Sequence, residues 1–138
     1  MNELHPDQKA LIKRWWQYAT EDLQAAEALL QNPVFVARHV CTFAQQSAEK
    51  ALKTALIVEQ IDFPKSHDLD ILSSLLPDTW TVITAFPQLR ELTNWAVEAR
   101  YPVHGDDPTA DEARSAAQLA QGIWQAVYQD LLKRLGEL

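Results

Sequence analysis

Apolar side chains recur at alternating spacings of three and four over residues 7–31 and 33–60, and this period predicts two long amphipathic helices. Between them, Asn32 and Pro33 supply a cap and a first helical position for the second helix. The buried face of the first helix is predicted to comprise Ile12, Trp16, Ala19, Leu23, Ala26 and Leu30. The buried face of the second is predicted to comprise Ala37, Cys41, Ala44, Ala48, Ala51, Ala55 and Val58. Because small residues allow a neighbouring helix to approach closely, we expect the second helix at the centre of a bundle.

The middle of the chain contains shorter elements. Residues 61–66 form a linker, and a short helix is predicted at about 68–76, where Pro77 ends it. The β-branched segment 78–86 fits either the start of a helix or a loop. Pro87 opens or kinks a fourth helix, whose apolar face is predicted to comprise Leu89, Leu92, Ala96 and Ala99.

The strongest break in the chain is 100–108, which contains two prolines, a glycine and two aspartates. Thr109 and Glu112 then form a capping box, which predicts the start of the last helix. Its apolar face is predicted to comprise Ala113, Ala116, Ala120, Ile123, Val127 and Leu131. Four long helices with short connections are the parts of an antiparallel bundle. The sequence therefore predicts one all-α domain over 1–138, an antiparallel four-helix bundle with an additional short helix.

The composition agrees with a helical chain. Only 3 glycines occur among 138 residues, whereas alanine and leucine together supply 37. A β-sandwich needs turn glycines and runs of β-branched residues, which this chain lacks. The sequence also contains no Gly-rich phosphate-loop motif, because such motifs need several closely spaced glycines. The single cysteine, Cys41, excludes an internal disulfide. Since it falls on an apolar helix face, we expect a small core residue and not a nucleophile.

The chain is acidic, with 19 acidic and 12 basic residues and a net charge of −7. Such a domain repels nucleic acid at long range, which favours a protein partner or a small ligand over long RNA. The N-terminal residues lack the uncharged apolar core of a secretory signal, and no apolar run approaches the length of a membrane span. We therefore expect a soluble, cytoplasmic protein that does not enter a membrane.

The second helix also has a polar face. At about 100° per residue, His39, Gln46, Lys50 and Lys53 fall within a sector of about 60°, and Glu49 flanks them. Glu49 precedes Lys53 by four residues, the favourable orientation for a helical ion pair. This spacing fits a solvated face that carries a salt bridge. The alternative is the wall of a groove in which two lysines and a glutamine hold a phosphate or a base.

Two loops contain further candidates for a functional site. Lys65, Ser66 and His67 precede the short helix, where Ser66 can act as the cap or the helix amides can receive a phosphate. Arg100 and His104 lie in the break before the last helix. A histidine acting as base or acid and an arginine holding the phosphorane would support metal-independent RNA cleavage. A structural role is the alternative for both loops. The first would then be only a capped helix start, and in the second Asp106 and Asp107 would neutralise Arg100 and His104.

Metal binding is not expected. No histidine and carboxylate on one helix have the E-x-x-H spacing of a di-iron bundle, and the 4 histidines are scattered along the chain. We therefore expect neither a metal centre nor a cofactor. The 5 tryptophans exceed what one core needs, which favours a homodimer over rings that only fill an alanine-rich core.

Four segments, in this order, resemble the HEPN domain family (higher eukaryotes and prokaryotes nucleotide-binding). The most specific is 43–56 (FAQQSAEKALKTAL), which is similar to the family's QQ-x-x-EK-x-x-K core helix. The other segments are 19–23 (ATEDL), 64–69 (PKSHDL) and 99–102 (ARYP). The resemblance covers about 15–132, nearly the whole chain.

The resemblance implies a five-helix bundle, usually a homodimer, with a groove that binds nucleotides. It also implies an MNT-type nucleotidyltransferase as the partner, frequently in a toxin–antitoxin pair. The nucleotide- or phosphate-binding residues that it implies are Gln46, Glu49, Lys50, Lys53, His67, Arg100 and Tyr101.

Many members of the family are ribonucleases with an R-x4–6-H motif contributed by both protomers. Here only three residues separate Arg100 from His104, and Tyr101 replaces the usual polar residue after the arginine. The leading hypothesis is therefore a module that binds a nucleotide or an RNA phosphate and acts with a nucleotidyltransferase. The alternatives are a metal-independent endoribonuclease toxin with Arg100 and His104 as catalytic residues, and a non-catalytic helical docking protein.

Overall fold

The computed structural model describes residues 3–89, 92 and 107–137. Every regular element within these residues is a helix, which confirms the all-α prediction. The elements are α1 (Pro6–Leu30), α2 (Ala37–Val58), α3 (Leu69–Ser74), α4 (Thr81–Ala85) and α5 (Ala110–Leu135). Most of the predicted fourth long helix lies outside the described residues, although Leu89 and Leu92 are buried as expected.

The helix α1 begins at a capping box. The Asp7 amide donates to His5 Nδ1 at 3.2 Å, and the His5 amide donates to Gln8 Oε1 at 2.8 Å. Pro6 occupies the first helical position, where no intrahelical partner is lost. The predicted apolar face is buried at Ile12, Trp16, Ala19, Leu23 and Ala26.

The helix α2 starts four residues later than predicted. The Val34 amide donates to Asn32 Oδ1 at 3.0 Å, so the asparagine closes a turn and does not cap the helix. Pro33 therefore lies in this turn, and Val36 is the N-cap residue, with no side-chain hydrogen bond. The predicted small-residue face is buried from Cys41 to Val58, and α2 packs against α1, α3 and α5. Its central position in the bundle is thus confirmed.

The helices α1 and α2 are antiparallel. Asp22 of α1 pairs with Lys50 of α2, and Trp15 of α1 contacts Lys53 of α2. The contact that lies earlier along α1 therefore lies later along α2. Between them, Ser47 Oγ donates to the Ala19 carbonyl at 2.8 Å, inside the core. Small side chains along this seam permit the close backbone approach on which that hydrogen bond depends.

The helices α1 and α5 are also antiparallel, and aromatic rings join them. Trp16, Trp124 and Tyr128 stack on one another, and the centroid of the Trp124 ring lies 5.0 Å from that of Trp16 and 4.9 Å from that of Tyr128. Trp124 Nε1 donates to Thr20 Oγ1 at 3.0 Å, which satisfies the indole donor at a half-buried position. The aromatic side chains here fill space between two helices whose buried faces include several alanines.

Two acidic side chains cap the short helices. Asp68 Oδ1 accepts from the Asp70 and Ile71 amides at the start of α3, so Asp68 is the cap, and the predicted role of Ser66 is wrong. Ser66 Oγ instead accepts from the Asp68 amide. At α4, Asp130 of α5 accepts from the Thr81 amide at 2.6 Å. The ambiguous segment 78–86 therefore contains a one-turn helix that a distant carboxylate caps.

The helix α5 begins as the sequence predicts. Glu112 N donates to Thr109 Oγ1 at 3.1 Å, and Thr109 N donates to Glu112 Oε1 at 3.0 Å, which completes the capping box. Its predicted apolar face is buried throughout. No helix in the described part of the chain is long and apolar enough to cross a lipid bilayer.

Candidate functional site

Beside its buried face, α1 has a second row of side chains at helical spacing, and this row lies next to the outer face of α2. We call the two rows together the α1–α2 strip. Its members on α1 are Leu11, Trp15, Tyr18 and Asp22, and its members on α2 are Lys50, Lys53 and Ile57. Because the helices are antiparallel, charged and polar groups meet at one end of the strip and apolar groups at the other.

Lys50 lies at the polar end of the strip. Its Nζ is 2.5 Å from Asp22 Oδ2 and 5.8 Å from the centroid of the Tyr18 ring. Arg14 Nε donates to the Tyr18 hydroxyl at 3.1 Å, which adds a second cation to the same ring. The Lys50 and Asp22 side chains are 23% and 15% exposed, so a ligand can reach this ion pair from the surface.

Lys53 lies in the middle of the strip and is buried. Its Nζ forms an ion pair with Glu49 Oε2 at 3.0 Å, as the i,i+4 spacing predicted. The ammonium also lies 5.4 Å from the Trp15 ring and 5.8 Å from the Phe63 ring. Aromatic faces attract a cation at these distances, so this pair belongs to a packed cluster and not to a solvated face.

Glu49 is the centre of a hydrogen-bond network. His67 Nδ1 lies 2.7 Å from Glu49 Oε1, and Gln45 Nε2 donates to the same oxygen at 3.1 Å. Gln45 Nε2 also donates to the main-chain carbonyl of His67 at 3.0 Å. Together with Lys53, three side chains therefore surround one carboxylate that is 5% exposed.

The network determines the charge of Glu49. Burial alone would raise the pKa of this carboxyl, but hydrogen bonds from His67, Lys53 and Gln45 outweigh it and hold the pKa below its usual value. Glu49 is therefore ionised at neutral pH and accepts hydrogen bonds only. The His67 side chain, in contrast, is 58% exposed.

An open groove adjoins the apolar end of the strip. Its volume is about 660 Å³, which falls within the range of small-molecule sites, about 300–1,000 Å³. Leu11, Trp15, Ile57, Ile61 and Phe63 supply its apolar lining, and Gln8, Gln60 and Asp62 supply polar groups. Trp15 and Phe63 are half-buried and also contact the Lys53 ammonium, so the groove and the Glu49 network share two walls.

The structure brings together only some of the residues predicted for the site. Glu49, Lys53 and His67 are in contact, and Lys50 lies beside them with Asp22. Gln46 is half-buried on the adjacent turn of α2. The remaining predicted residues, Arg100, Tyr101 and His104, lie outside the described residues.

Cys41 is a core residue, as predicted. It is fully buried, and burial raises the pKa of its thiol to about 11, with a further contribution from the charge of Glu112. The thiolate is the reactive form, so this side chain is protonated and inert at neutral pH.

The sequence analysis did not identify Gln45, which donates hydrogen bonds to the Glu49 carboxylate and to the main-chain carbonyl of His67. It also missed the aromatic partners of the lysines. The second i,i+3/i+4 row on α1, through Trp15, Tyr18 and Asp22, was the available signal, because it runs beside the buried row. Phe63 had no comparable signal, since a linker has no periodicity from which to infer its orientation.

Comparison with known proteins gives two matches. The model of the HEPN domain matches residues 12–133, slightly more than the region 15–132 that the sequence motifs indicated. Among solved structures, the chain is similar to the crystal structure of TT1696 from Thermus thermophilus, with a TM-score of 0.73 and 27% sequence identity. That alignment covers 87% of this chain and 98% of the other. No curated protein sequence matches the chain.

Proposed function

Because the chain belongs to the HEPN domain family, we propose that it is a nucleotide-binding module that works with an MNT-type nucleotidyltransferase. The observation that supports nucleotide binding is the position of the groove. A cavity large enough for a nucleotide lies against Trp15 and Phe63, and the Lys53 ammonium, which is paired with Glu49, lies close to both rings. A base needs flat apolar walls and a phosphate needs donors, and this part of the molecule offers both.

The base occupies the groove in this proposal. Stacking of a base on an aromatic side chain contributes about 1–3 kcal/mol, and the half-buried Trp15 and Phe63 rings provide such faces. The polar side chains of Gln8 and Asp62 also line the groove, where they can accept or donate to base edges.

The phosphate lies toward the cations of the strip and the loop before α3. Lys50 and Lys53 are each paired with a carboxylate inside the chain, so their positive charge is largely neutralised. Lys65 and His67 are exposed on the loop and remain accessible. With a net charge of −7, the whole molecule favours a mononucleotide over long RNA.

Thermal unfolding with AMP or ATP tests the binding proposal. A ligand that binds only the folded state raises the melting temperature, and one present at 100 times its Kd adds about 2.7 kcal/mol of stability. Trp15→Ala and Lys50→Ala should each reduce the shift. Lys133→Ala, which removes an exposed lysine on the last turn of α5, is the matched control and should leave the shift unchanged. The absence of any shift with saturating nucleotide would refute the proposal.

The partner proposal depends on family membership and needs its own test. Mixing the chain with an MNT-type nucleotidyltransferase from the same genome should give a stable complex in size-exclusion chromatography. In a toxin–antitoxin pair, growth inhibition by one protein should be relieved by co-expression of the other. Two proteins that elute separately at every ratio would contradict this assignment without affecting nucleotide binding.

A further inference from the structure

The helix α2 ends in a Schellman motif, which places Gln60 in a left-handed backbone conformation. The Gln60 amide donates to the Ile57 carbonyl at 3.0 Å. The Ile61 amide donates to the Leu56 carbonyl, also at 3.0 Å, which completes the motif. The φ angle of Gln60 is 59°. Glycine is the usual residue at this position, because a Cβ atom in the left-handed region lies too close to the following carbonyl oxygen.

The end of α5 shows the residue that the backbone alone favours. Gly136 follows this helix with a φ of 82°, and a Cβ there would meet no atom within 4 Å, so the backbone conformation is what favours glycine. Among the described residues, Gln60 is the one non-glycine with a positive φ. Because disfavoured conformations of this kind cluster at ligand sites, the side chain of Gln60 needs an explanation in terms of what it contacts.

The Gln60 side chain lies at the groove beside the α1–α2 strip. It is exposed and lines this groove together with Trp15 and Phe63. Ile57 and Ile61, on either side of it in the sequence, supply apolar groups to the same groove. A primary amide carries two donors and one acceptor, and the edge of a base presents the complementary set. The turn after α2 thus presents a hydrogen-bonding group in a largely apolar wall.

We propose that the Gln60 amide binds the edge of the base when a nucleotide occupies this groove: its Oε1 accepts from the 6-amino group of adenine, and its Nε2 donates to the neighbouring ring nitrogen. This inference rests on the proposed nucleotide site and assigns the contact with the base. Glutamine pairs with adenine in this way when proteins recognise DNA. The disfavoured backbone conformation at the end of α2 is retained for this contact.

Two substitutions of Gln60 separate the amide from the backbone. Gln60→Gly removes the amide and relieves the conformation, so it should raise the melting temperature by about 1–4 °C. Gln60→Ala removes the amide and keeps the disfavoured φ, so it should not raise the melting temperature. In calorimetric titration both variants should weaken AMP about 3- to 10-fold, the loss expected when a neutral hydrogen bond is removed. Gln125→Ala, which removes an exposed glutamine of α5 outside the groove lining, is the matched control and should change neither quantity.

A second ligand tests the atoms of the contact. Purine riboside 5′-monophosphate differs from AMP only by lacking the 6-amino group, so it keeps the stacking surface and the phosphate. The native chain should bind it more weakly than AMP. Gln60→Ala should weaken it less than it weakens AMP, because one of the two hydrogen bonds is already missing. Equal weakening of the two ligands would overturn the assignment of Gln60 to the amino group.

The remaining outcomes separate this inference from the proposed function. If the native chain binds AMP and neither variant of Gln60 changes the affinity, the base contact is wrong while the nucleotide site stands. If AMP is weakened by Gln60→Ala but not by Gln60→Gly, the backbone and not the amide determines binding, and the inference fails. A lower melting temperature for Gln60→Gly would show that the side chain stabilises the fold, which also overturns it. If the native chain binds neither ligand, the proposed function fails as well.

Discussion

At the scale of single residues, Glu49 shows how this fold stabilises a buried, ionised carboxylate. Two charged or polar partners lie on its own helix and one lies in a loop, so both carboxylate oxygens have donors. Removal of one partner from such a buried pair leaves the other charge uncompensated, which costs more free energy than the pair contributes. Protonation of Glu49 would likewise leave the Lys53 ammonium without its counter-charge, so the free energy of unfolding depends on pH.

Glu49→Gln should lower the free energy of unfolding by about 2 kcal/mol at pH 7, because Lys53 stays buried without its counter-charge. The folded-state pKa of Glu49 lies below its value in the unfolded chain, about 4.3. Its stabilising contribution is therefore complete above that pH and is lost as the pH falls through the folded pKa. Urea unfolding at pH 7 and at acidic pH should show a difference between the native chain and the variant that shrinks on acidification.

Glu27→Gln is the control for that experiment, since Glu27 is an exposed carboxylate on α1. It should change stability by less than about 0.5 kcal/mol at either pH. A Glu49→Gln difference that stayed constant with pH would show that the charge of Glu49 does not account for its effect.

The sequence predicted which face of α2 these residues occupy but not what they contact. Helical spacing places Lys50 and Lys53 on one side of the helix, and the i,i+4 rule pairs Lys53 with Glu49. The pairing of Lys50 with Asp22 joins residues 28 apart, and the contact of His67 with Glu49 joins residues 18 apart. Such contacts depend on how helices pack, which the periodicity of a single segment does not specify.

At the scale of elements, buried faces were easier to predict than helix ends. The apolar rows of α1, α2 and α5 are buried as expected, except that Leu30 and Ala37 at the helix ends are half-buried, because these rows repeat over six or seven turns. The start of α2 was wrong because Asn32 is equally able to close a turn. The start of α5 was correct because two residues satisfy each other's amides within the capping box. Local capping is predictable when both partners are local.

The short helix α4 illustrates the opposite case, and Asp130→Ala should destabilise it. Asp130 is 4% exposed, and its carboxylate accepts from the Thr81 amide and the Thr81 hydroxyl at 2.6 and 3.1 Å. The substitution removes both hydrogen bonds, and because hydrogen bonds to a charged group contribute about 1.5–3 kcal/mol, we expect a loss of about 2–3 kcal/mol in the free energy of unfolding. Hydrogen exchange at the α4 amides should accelerate more than exchange in α1.

Asp111→Ala tests whether any aspartate on α5 would give the same result. Asp111 forms an exposed ion pair with Arg114 at 3.0 Å in the first turn, and such pairs contribute less than about 1 kcal/mol. Equal destabilisation by the two substitutions would mean that the cap on α4 is not the reason for the effect of Asp130.

At the scale of the whole molecule, the tryptophans bear on the predicted homodimer. Of the four that lie in the described part of the chain, Trp16 and Trp80 are buried and Trp124 is stacked within the bundle. Trp15 lies at the open groove that adjoins the α1–α2 strip. The rings therefore serve mainly to fill a core rich in alanine, and their number alone does not require a second copy of the chain.

The homodimer remains a prediction from the family resemblance, and exposed aliphatic side chains agree with it. Val34 is 86% exposed and Val36 is 42% exposed on the turn between α1 and α2, where a monomer gains nothing from apolar groups. Multi-angle light scattering should give twice the 15.7 kDa of the chain across a wide concentration series. Val34→Asp should shift the population toward monomer if this turn lies in the interface, because an aspartate there would have to be desolvated. A mass equal to one chain at every concentration would refute the dimer, and a dimer that is insensitive to Val34→Asp would exclude this turn from its interface.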